Sequence, residues 1–247
     1  MTIPLLILIW AATVATTLLS GVFGMAGGLL LVGLLLVLLP LPAAMALHAV
    51  TQIASNGWRA AFGLRHVRWG IAADYGVGCL AATLAWSAVL YVPSKPVALI
   101  ALGLSPFLLM ALPAAWKPDP GHPWHAIAAG VASMSLMLLT GVAGPLLDRF
   151  FLGGRLDRHA IVATKAVCQV QGHALKLVYF GGLAATPGML DTTAVLGAVA
   201  AAALGTVLAQ PLLRAMTEAS YRLWAGRLVT GIALTYVAQG TWLLLWP

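Results

Sequence analysis

The chain has 247 residues, of which 62% are hydrophobic and only 8% are charged, and its formal net charge is +7. A soluble domain of this length could not cover its surface with so few charges, so the composition excludes a soluble protein and predicts a polytopic protein of the lipid bilayer. The basic residues form no run long enough for a patch, which argues against a nucleic-acid partner.

The first helix is predicted over about residues 4 to 22. Its start lacks the basic region of a secretory signal, so we interpret it as a membrane segment. Four glycines between Gly21 and Gly28 then predict a break, because glycine is unfavourable inside helices. A short apolar run over residues 29 to 39 follows. Since irregular backbone at membrane depth must be buried in protein or line a wet cavity, we expect a re-entrant hairpin or a broken helix here.

A helix predicted over residues 43 to 62 carries a stripe of polar residues. His48, Gln52, Ser55 and Arg59 are spaced by i, i+4, i+7 and i+11, which places them on one helix face. The basic loop that follows, over residues 63 to 69, is typical of a cytoplasmic loop. Helices are then predicted at 70 to 92 and 95 to 115, before a polar, proline-dense linker.

The second half repeats this plan. A helix predicted over 124 to 139 ends in a glycine-containing break at 140 to 145, and a short run follows to residue 152. After a basic loop comes a second striped helix, predicted over 160 to 182, with the same four spacings at Lys165, Gln169, Gly172 and Lys176. Helices at 188 to 210 and 222 to 246 complete the chain, and the charged stretch between them should face the cytoplasm. We interpret the recurrence of break and stripe as an internal duplication.

The positions of the basic loops predict that the halves are inverted. The basic loop follows the first striped helix but precedes the second, so equivalent loops lie on opposite sides of the membrane. The predicted fold is therefore all-α: a polytopic membrane protein of two inverted-topology repeats, each with a glycine-broken or re-entrant helix pair plus three transmembrane helices. The repeats span residues 1–115 and 124–247, joined by the linker 116–123. Both termini should face outward, and the striped helices should be antiparallel.

The stripes predict a site for a small anion. A cation at the bilayer centre costs at least about 2.5 kcal/mol on insertion scales unless it has a partner or a wet path. Because few acidic residues are available, the unpaired excess of cations argues for an anionic substrate. Helix N-termini at the two breaks would add N–H donors and a positive dipole end. The candidate substrate-binding residues are Gly24, Gly27, Gly28, His48, Thr51, Gln52, Ser55, Arg59, Thr140, Gly141, Gly144, Lys165, Gln169, His173 and Lys176.

Structural roles for these residues stay open at this point. Arg59 and Lys176 lie near helix ends and could extend to the membrane interface, and His48 could be an interhelical hydrogen bonder. Lys165 could act only in setting topology, and the glycines could serve only close helix packing. Neither cysteine lies in a C-x-x-C motif and the histidines are scattered, so no metal or cofactor is predicted.

Four segments together resemble the TauE/SafE family of sulfite and organosulfonate exporters, in the TSUP superfamily. They are the glycine segment 21–28, the basic loop 65–69, the second break 140–145 and the start of the second striped helix, 158–167. The resemblance implies a carrier of the bacterial inner membrane for sulfite or an organosulfonate, without a cofactor and without enzymatic activity.

Together with the inverted repeats, the resemblance predicts a secondary transporter that exports a small anion by alternating access. An anion channel is one alternative. Another is a membrane-embedded redox subunit that uses Cys79 and Cys168, or His48 and His173 as haem ligands. The oligomeric state stays open, and a homo-oligomer is compatible with the sequence.

Overall fold

The computed structural model describes residues 1–23, 26–111, 113, 118–152, 154, 156–186, 188–215 and 218–246. These residues contain no strand, which confirms the all-α prediction. A 3₁₀ turn at Leu64–His66 and a π turn at Tyr179–Leu183 extend two of the helices. The helices are α1 (Ile3–Phe23), α2 (Ala26–Leu38), α3 (Leu41–Gly63), α4 (Trp69–Val89), α5 (Lys95–Ala111), α6 (Pro123–Thr140), α7 (Gly144–Leu152), α8 (Arg158–Val178), α9 (Thr192–Ala215) and α10 (Glu218–Leu245).

The outer helices carry the apolar surface of a membrane protein. Within α1, α4, α6, α9 and α10, a stretch of each is long and apolar enough to cross a bilayer. Less than half of each such stretch is buried inside the protein. Large apolar side chains such as Val89 and Leu108 are instead 76% and 65% exposed. Because such a surface is stable only against lipid, the prediction of a polytopic membrane protein is confirmed.

The two striped helices, α3 and α8, are less apolar and pack against each other inside the bundle. Their contacts run from His48 with Lys176 at one end to His66 with His159 at the other. Residue numbers therefore fall along α8 as they rise along α3, and the helices are antiparallel, as predicted. A Cβ on Gly63 would lie 2.9 Å from the Ala163 Cβ, so the backbones approach closely where α3 ends.

The first break reverses the chain. A Cβ on Gly27 would collide with the Thr16 carbonyl oxygen and the Ser20 backbone nitrogen, so the start of α2 lies directly against the last turns of α1. A continuous helix would hold residues 16 and 27 about 16 Å apart. The predicted hairpin is therefore present, although Gly24 lies outside the described residues.

The second break is formed by local backbone chemistry. Gly141 ends α6 with φ of 88°, a left-handed conformation that favours glycine, and its N–H bonds to the Met137 carbonyl. The Thr140 hydroxyl bonds to the carbonyl oxygens of Leu136 and Val142, both at 2.9 Å. α7 then begins at Gly144 and has nine residues, so it is too short to cross a bilayer.

Several predicted helix ends were wrong. α5 ends at Ala111 rather than 115, and α9 begins at Thr192 because the Asp191 carboxylate accepts the backbone N–H groups of Thr193 and Ala194. The charged stretch predicted between the last two helices belongs instead to α9 and α10, which extend to Ala215 and from Glu218. Arginine and glutamate both have high helix propensity. A charged stretch therefore indicates that the chain leaves the membrane and does not indicate that the helix ends.

The most extensive helix pairings are α1 with α9, α4 with α6, α3 with α8 and α5 with α10. Exchanging the first five helices with the last five, in order, converts the α1–α9 pair into the α6–α4 pair. The same exchange maps the α3–α8 and α5–α10 pairs onto themselves. These four pairings are thus unchanged when the halves are interchanged.

Gly27→Ala should lower the thermal stability of the detergent-solubilised protein, because the added methyl group meets backbone atoms that cannot move independently. Overpacking of this kind costs about 1–3 kcal/mol. The matched control is Gly57→Ala, since nothing lies within 4 Å of a Cβ there and alanine favours helix. Melting temperatures followed by circular dichroism compare the two variants. Equal melting temperatures would contradict the close packing of α1 on α2.

Candidate functional site

A cavity of about 40 Å³ lies between the two breaks and the two striped helices. It has contributions from α1, α2, α3, α7 and α8 and from the segment before α7. The lining residues are Ser20, Gly28, Leu29, Gln52, Asn56, Arg59, Val142, Ala143, Gly144, Pro145, Lys165, Gln169 and His173.

The beginnings of two short helices meet at this cavity. Gly28 and Leu29 lie in the first turn of α2, and Gly144 and Pro145 begin α7. A helix N-terminus carries unsatisfied N–H groups and the positive end of the helix dipole, and both favour a negatively charged ligand. A Cβ on Gly28 would lie 3.5 Å from the Gln52 Oε1 atom, so the lack of a side chain at Gly28 leaves space for a ligand next to this amide.

α3 provides an arginine held by its neighbour on the same face. The Asn56 Nδ2 group donates to the Gln52 backbone oxygen at 2.9 Å, and the Arg59 guanidinium donates to the Asn56 Oδ1 atom at 3.1 Å. Asn56 therefore orients Arg59 beside the cavity. Sequence reasoning missed Asn56, although it follows Gln52 by one helical turn and so lies on the same helix face.

α8 provides Lys165, Gln169 and His173, which lie about one turn apart and all line the cavity. His173 is 3% exposed, and its Nδ1 atom has no hydrogen-bond partner in the described part of the chain. A buried ring nitrogen without a partner is costly, so it indicates a place where a ligand or a proton can be accepted.

The predicted excess of unpaired cations needs correction at Lys165. The Lys165 ammonium forms an ion pair with the Asp148 carboxylate of α7, and Asp148 also lies close enough to Arg59 to act on its charge. The sequence does not show this pairing, because Asp148 and Lys165 are 17 residues apart and meet only where α7 packs against α8. Two cations and one carboxylate therefore surround this part of the cavity, which keeps a net positive charge.

His48 and Lys176 lie at the other end of the stripes and do not line the cavity; both are wholly buried. The Lys176 Nζ atom lies 2.8 Å from the His48 Nδ1 atom and donates to the Gly141 carbonyl at 2.9 Å. The His48 Nε2 atom lies 3.0 Å from the Gly28 carbonyl oxygen, which can only accept, so Nε2 carries a proton and donates it. These bonds tie α3 and α8 to both breaks.

The remaining predicted residues make structural contacts outside the cavity. The Thr51 hydroxyl donates to the His48 carbonyl at 2.8 Å, and the Ser55 hydroxyl lies 3.1 Å from that of Thr206 in α9. Thr140 and Gly141 form the second break, and Gly27 packs α2 on α1. Gly24 lies outside the described residues.

A family model, Sulfite exporter TauE/SafE, matches residues 8–236. This chain belongs to the TauE/SafE family. Membership implies a membrane transporter of sulfur anions such as sulfite. Transport of this kind does not require enzymatic activity. Neither the curated proteins nor the solved structures contain a match to the chain. In this TauE/SafE protein, the cavity combines features that suit such an anion: two helix N-termini, an oriented arginine and amide donors.

Asp148→Asn should strengthen the binding of sulfite to the TauE/SafE protein, because the variant frees Lys165 from its ion pair and removes a negative charge near Arg59. The expected gain is several-fold at low ionic strength, and it should shrink as salt screens the charges. Isothermal titration calorimetry measures the dissociation constant. Asp74→Asn, on α4 and away from the cavity lining, is the charge-matched control. Weaker binding by Asp148→Asn than by the control would contradict a competing role for Asp148.

Proposed function

We propose that this protein exports a small sulfur oxyanion, sulfite or an organosulfonate, across the bacterial inner membrane by alternating access. The observation that carries the proposal is the cavity in which the starts of α2 and α7 meet Arg59 and Lys165. Family membership supports the substrate class.

The chemistry of the lining supports a trigonal or tetrahedral oxyanion. A guanidinium presents paired N–H donors to two oxygens of one anion, and Arg59 is already oriented by Asn56. Gln52 and Gln169 add neutral amide donors, which select for oxygen acceptors without a further charge. Lys165 can exchange Asp148 for the substrate and then return to Asp148. Anion binding and release therefore do not leave the lysine charge without an anionic partner in the membrane.

The proposed mechanism rests on inverted repeats over residues 1–115 and 124–247, joined by the linker 116–123. Two observations support this division: the duplicated stripe, and helix pairings that are unchanged when the halves are interchanged. Inverted repeats allow the two halves to exchange conformations, which opens a central site alternately to each side of the membrane.

The duplication makes the two ends of the stripes equivalent. His48 corresponds to Lys165 and Arg59 to Lys176, so the buried His48–Lys176 contact is the counterpart of the region between Arg59 and Lys165. The His48–Lys176 contact is closed, whereas Arg59 and Lys165 border the cavity. Because Arg59 and Lys165 lie nearest the basic loops, which are typical of the cytoplasmic side, we infer that this state faces inward. Exchange of the two conformations would separate His48 from Lys176 and open the outer end.

Membrane potential supports export as the direction of transport. A monovalent anion that leaves a cell with an interior at −100 mV gains about 2.3 kcal/mol, whereas uptake must be driven by another gradient. A channel would require a continuous path, and the wholly buried His48–Lys176 contact instead closes the outer end, which favours alternating access. A redox role for His48 is disfavoured because both ring nitrogens are engaged in hydrogen bonds.

Arg59→Gln should weaken sulfite binding and transport by roughly 10–100-fold, since it removes a charge-assisted hydrogen bond worth about 1.5–3 kcal/mol. Counterflow of labelled sulfite into proteoliposomes measures transport, and a thermal-shift screen with sulfite, sulfoacetate, taurine, sulfate and phosphate identifies the preferred anion. Arg65→Gln, in the exposed turn after α3, is the matched control and should transport normally.

Two outcomes would contradict the proposal. One is an Arg59→Gln variant that binds and transports like the wild type, which would remove the cavity as the site. The other is unitary current across a planar bilayer with no counterflow, which would indicate a channel.

A further inference from the structure

Lys176 is a membrane-embedded lysine that the proposed cavity does not use. It is wholly buried, and its hydrogen-bond partners in the described part of the chain are the His48 ring and the Gly141 carbonyl, with no carboxylate among them. A charged lysine at membrane depth is expensive without an anionic partner or water, and such residues usually belong to an ion or proton pathway.

The hydrogen bonds of Lys176 indicate its protonation state in the closed contact with His48. His48 donates from Nε2 to the Gly28 carbonyl, so its Nδ1 atom accepts from Lys176. A neutral lysine amine has two N–H groups, and the two acceptors, His48 Nδ1 and the Gly141 oxygen, match them. An ammonium group has a third N–H, for which the described residues offer no acceptor. The closed contact therefore fits the unprotonated amine.

His173 connects this contact with the cavity. Its ring meets the His48 ring edge-on with centroids 5.5 Å apart, and its side chain lines the cavity. The Nδ1 atom of His173 is buried without a partner in the described residues. His173 therefore places an ionisable ring between the cavity and the His48–Lys176 contact.

We propose that Lys176, next to His48 and His173, binds one proton when the anion binds in the cavity. The inference rests on the proposed anion-export function. In the step, the lone pair of the Lys176 amine forms an N–H bond to a proton of a hydronium ion, the O–H bond of that ion breaks to leave water, and the contact with His48 opens. The proton returns to a water molecule when the His48–Lys176 contact re-forms. An ammonium beside the cavity attracts the anion and the anion attracts the proton, so their binding is coupled reciprocally.

The neighbouring ionisable groups leave this role to Lys176. His48 comes from α3 and His173 from α8 itself, whereas the carboxylate of Asp148 on α7 is paired with Lys165. α6 contributes the Gly141 carbonyl. The phenols on the remaining packed elements are Tyr75 of α4, close to Gly172, and Tyr179 after α8, which donates to the Tyr91 carbonyl.

The test counts the protons taken up when sulfite binds to the full-length protein in detergent. Calorimetric titrations in two buffers of different ionisation enthalpy give this number, and comparison with variants removes protons carried by sulfite itself. Lys176→Met cannot bind the proton, and Lys176→Arg carries one permanently. We expect both to take up fewer protons per sulfite than the wild type, by up to about one. Lys95→Met, at the start of α5, should match the wild type.

The two variants separate the proton site from a structural role. If Lys176 only neutralised the end of α6, arginine would replace it and Lys176→Arg would take up as many protons as the wild type, which would overturn the proposal. If Lys176→Met does not fold, Lys176→Arg alone decides. Normal sulfite binding with equal proton counts in all proteins would remove the proton site and leave the anion site intact. Absence of sulfite binding to the wild type would overturn both.

Discussion

The structure depends on burying two polar helices inside a membrane protein. α3 and α8 carry most of the polar residues that an isolated helix could not hold in lipid, and their mutual packing keeps those residues away from it. The hydrogen bond between Lys176 and His48 meets this constraint, because it gives a buried amine a partner on the opposite helix. The bonds from this pair to the carbonyl oxygens of Gly28 and Gly141 hold it next to both breaks.

The breaks create a cavity within this packing whose lining suits an anion. Gly27 permits α2 to fold directly onto α1, and Gly141 supplies the left-handed residue that ends α6. Each break leaves a short helix whose N-terminus faces the protein interior rather than a membrane surface. Two positive dipole ends and an oriented Arg59 therefore meet in one cavity, where a low dielectric strengthens their attraction for an anion. The apolar outer helices provide that environment.

The two ends of the stripes differ in a way that suits a transporter. At one end His48 and Lys176 are bonded and wholly buried, and at the other end Lys165 and Arg59 border the cavity. Asp148 keeps the open end from carrying two bare cations. A bundle whose halves pack alike can exchange these arrangements at little cost in contacts, because each interface is re-formed with the roles of the halves reversed.

The sequence by itself determined the helices, both breaks and the faces that carry polar residues, because these follow from composition and from the helical period. It also placed Arg59, Gln52, Lys165 and Gln169 on inward faces, all of which line the cavity. Only the tertiary structure decided which charges are partnered. The Lys165–Asp148 pair and the exclusion of Lys176 from the cavity depend on how separate helices cross, since local spacing sets the face of a residue but not what lies opposite it.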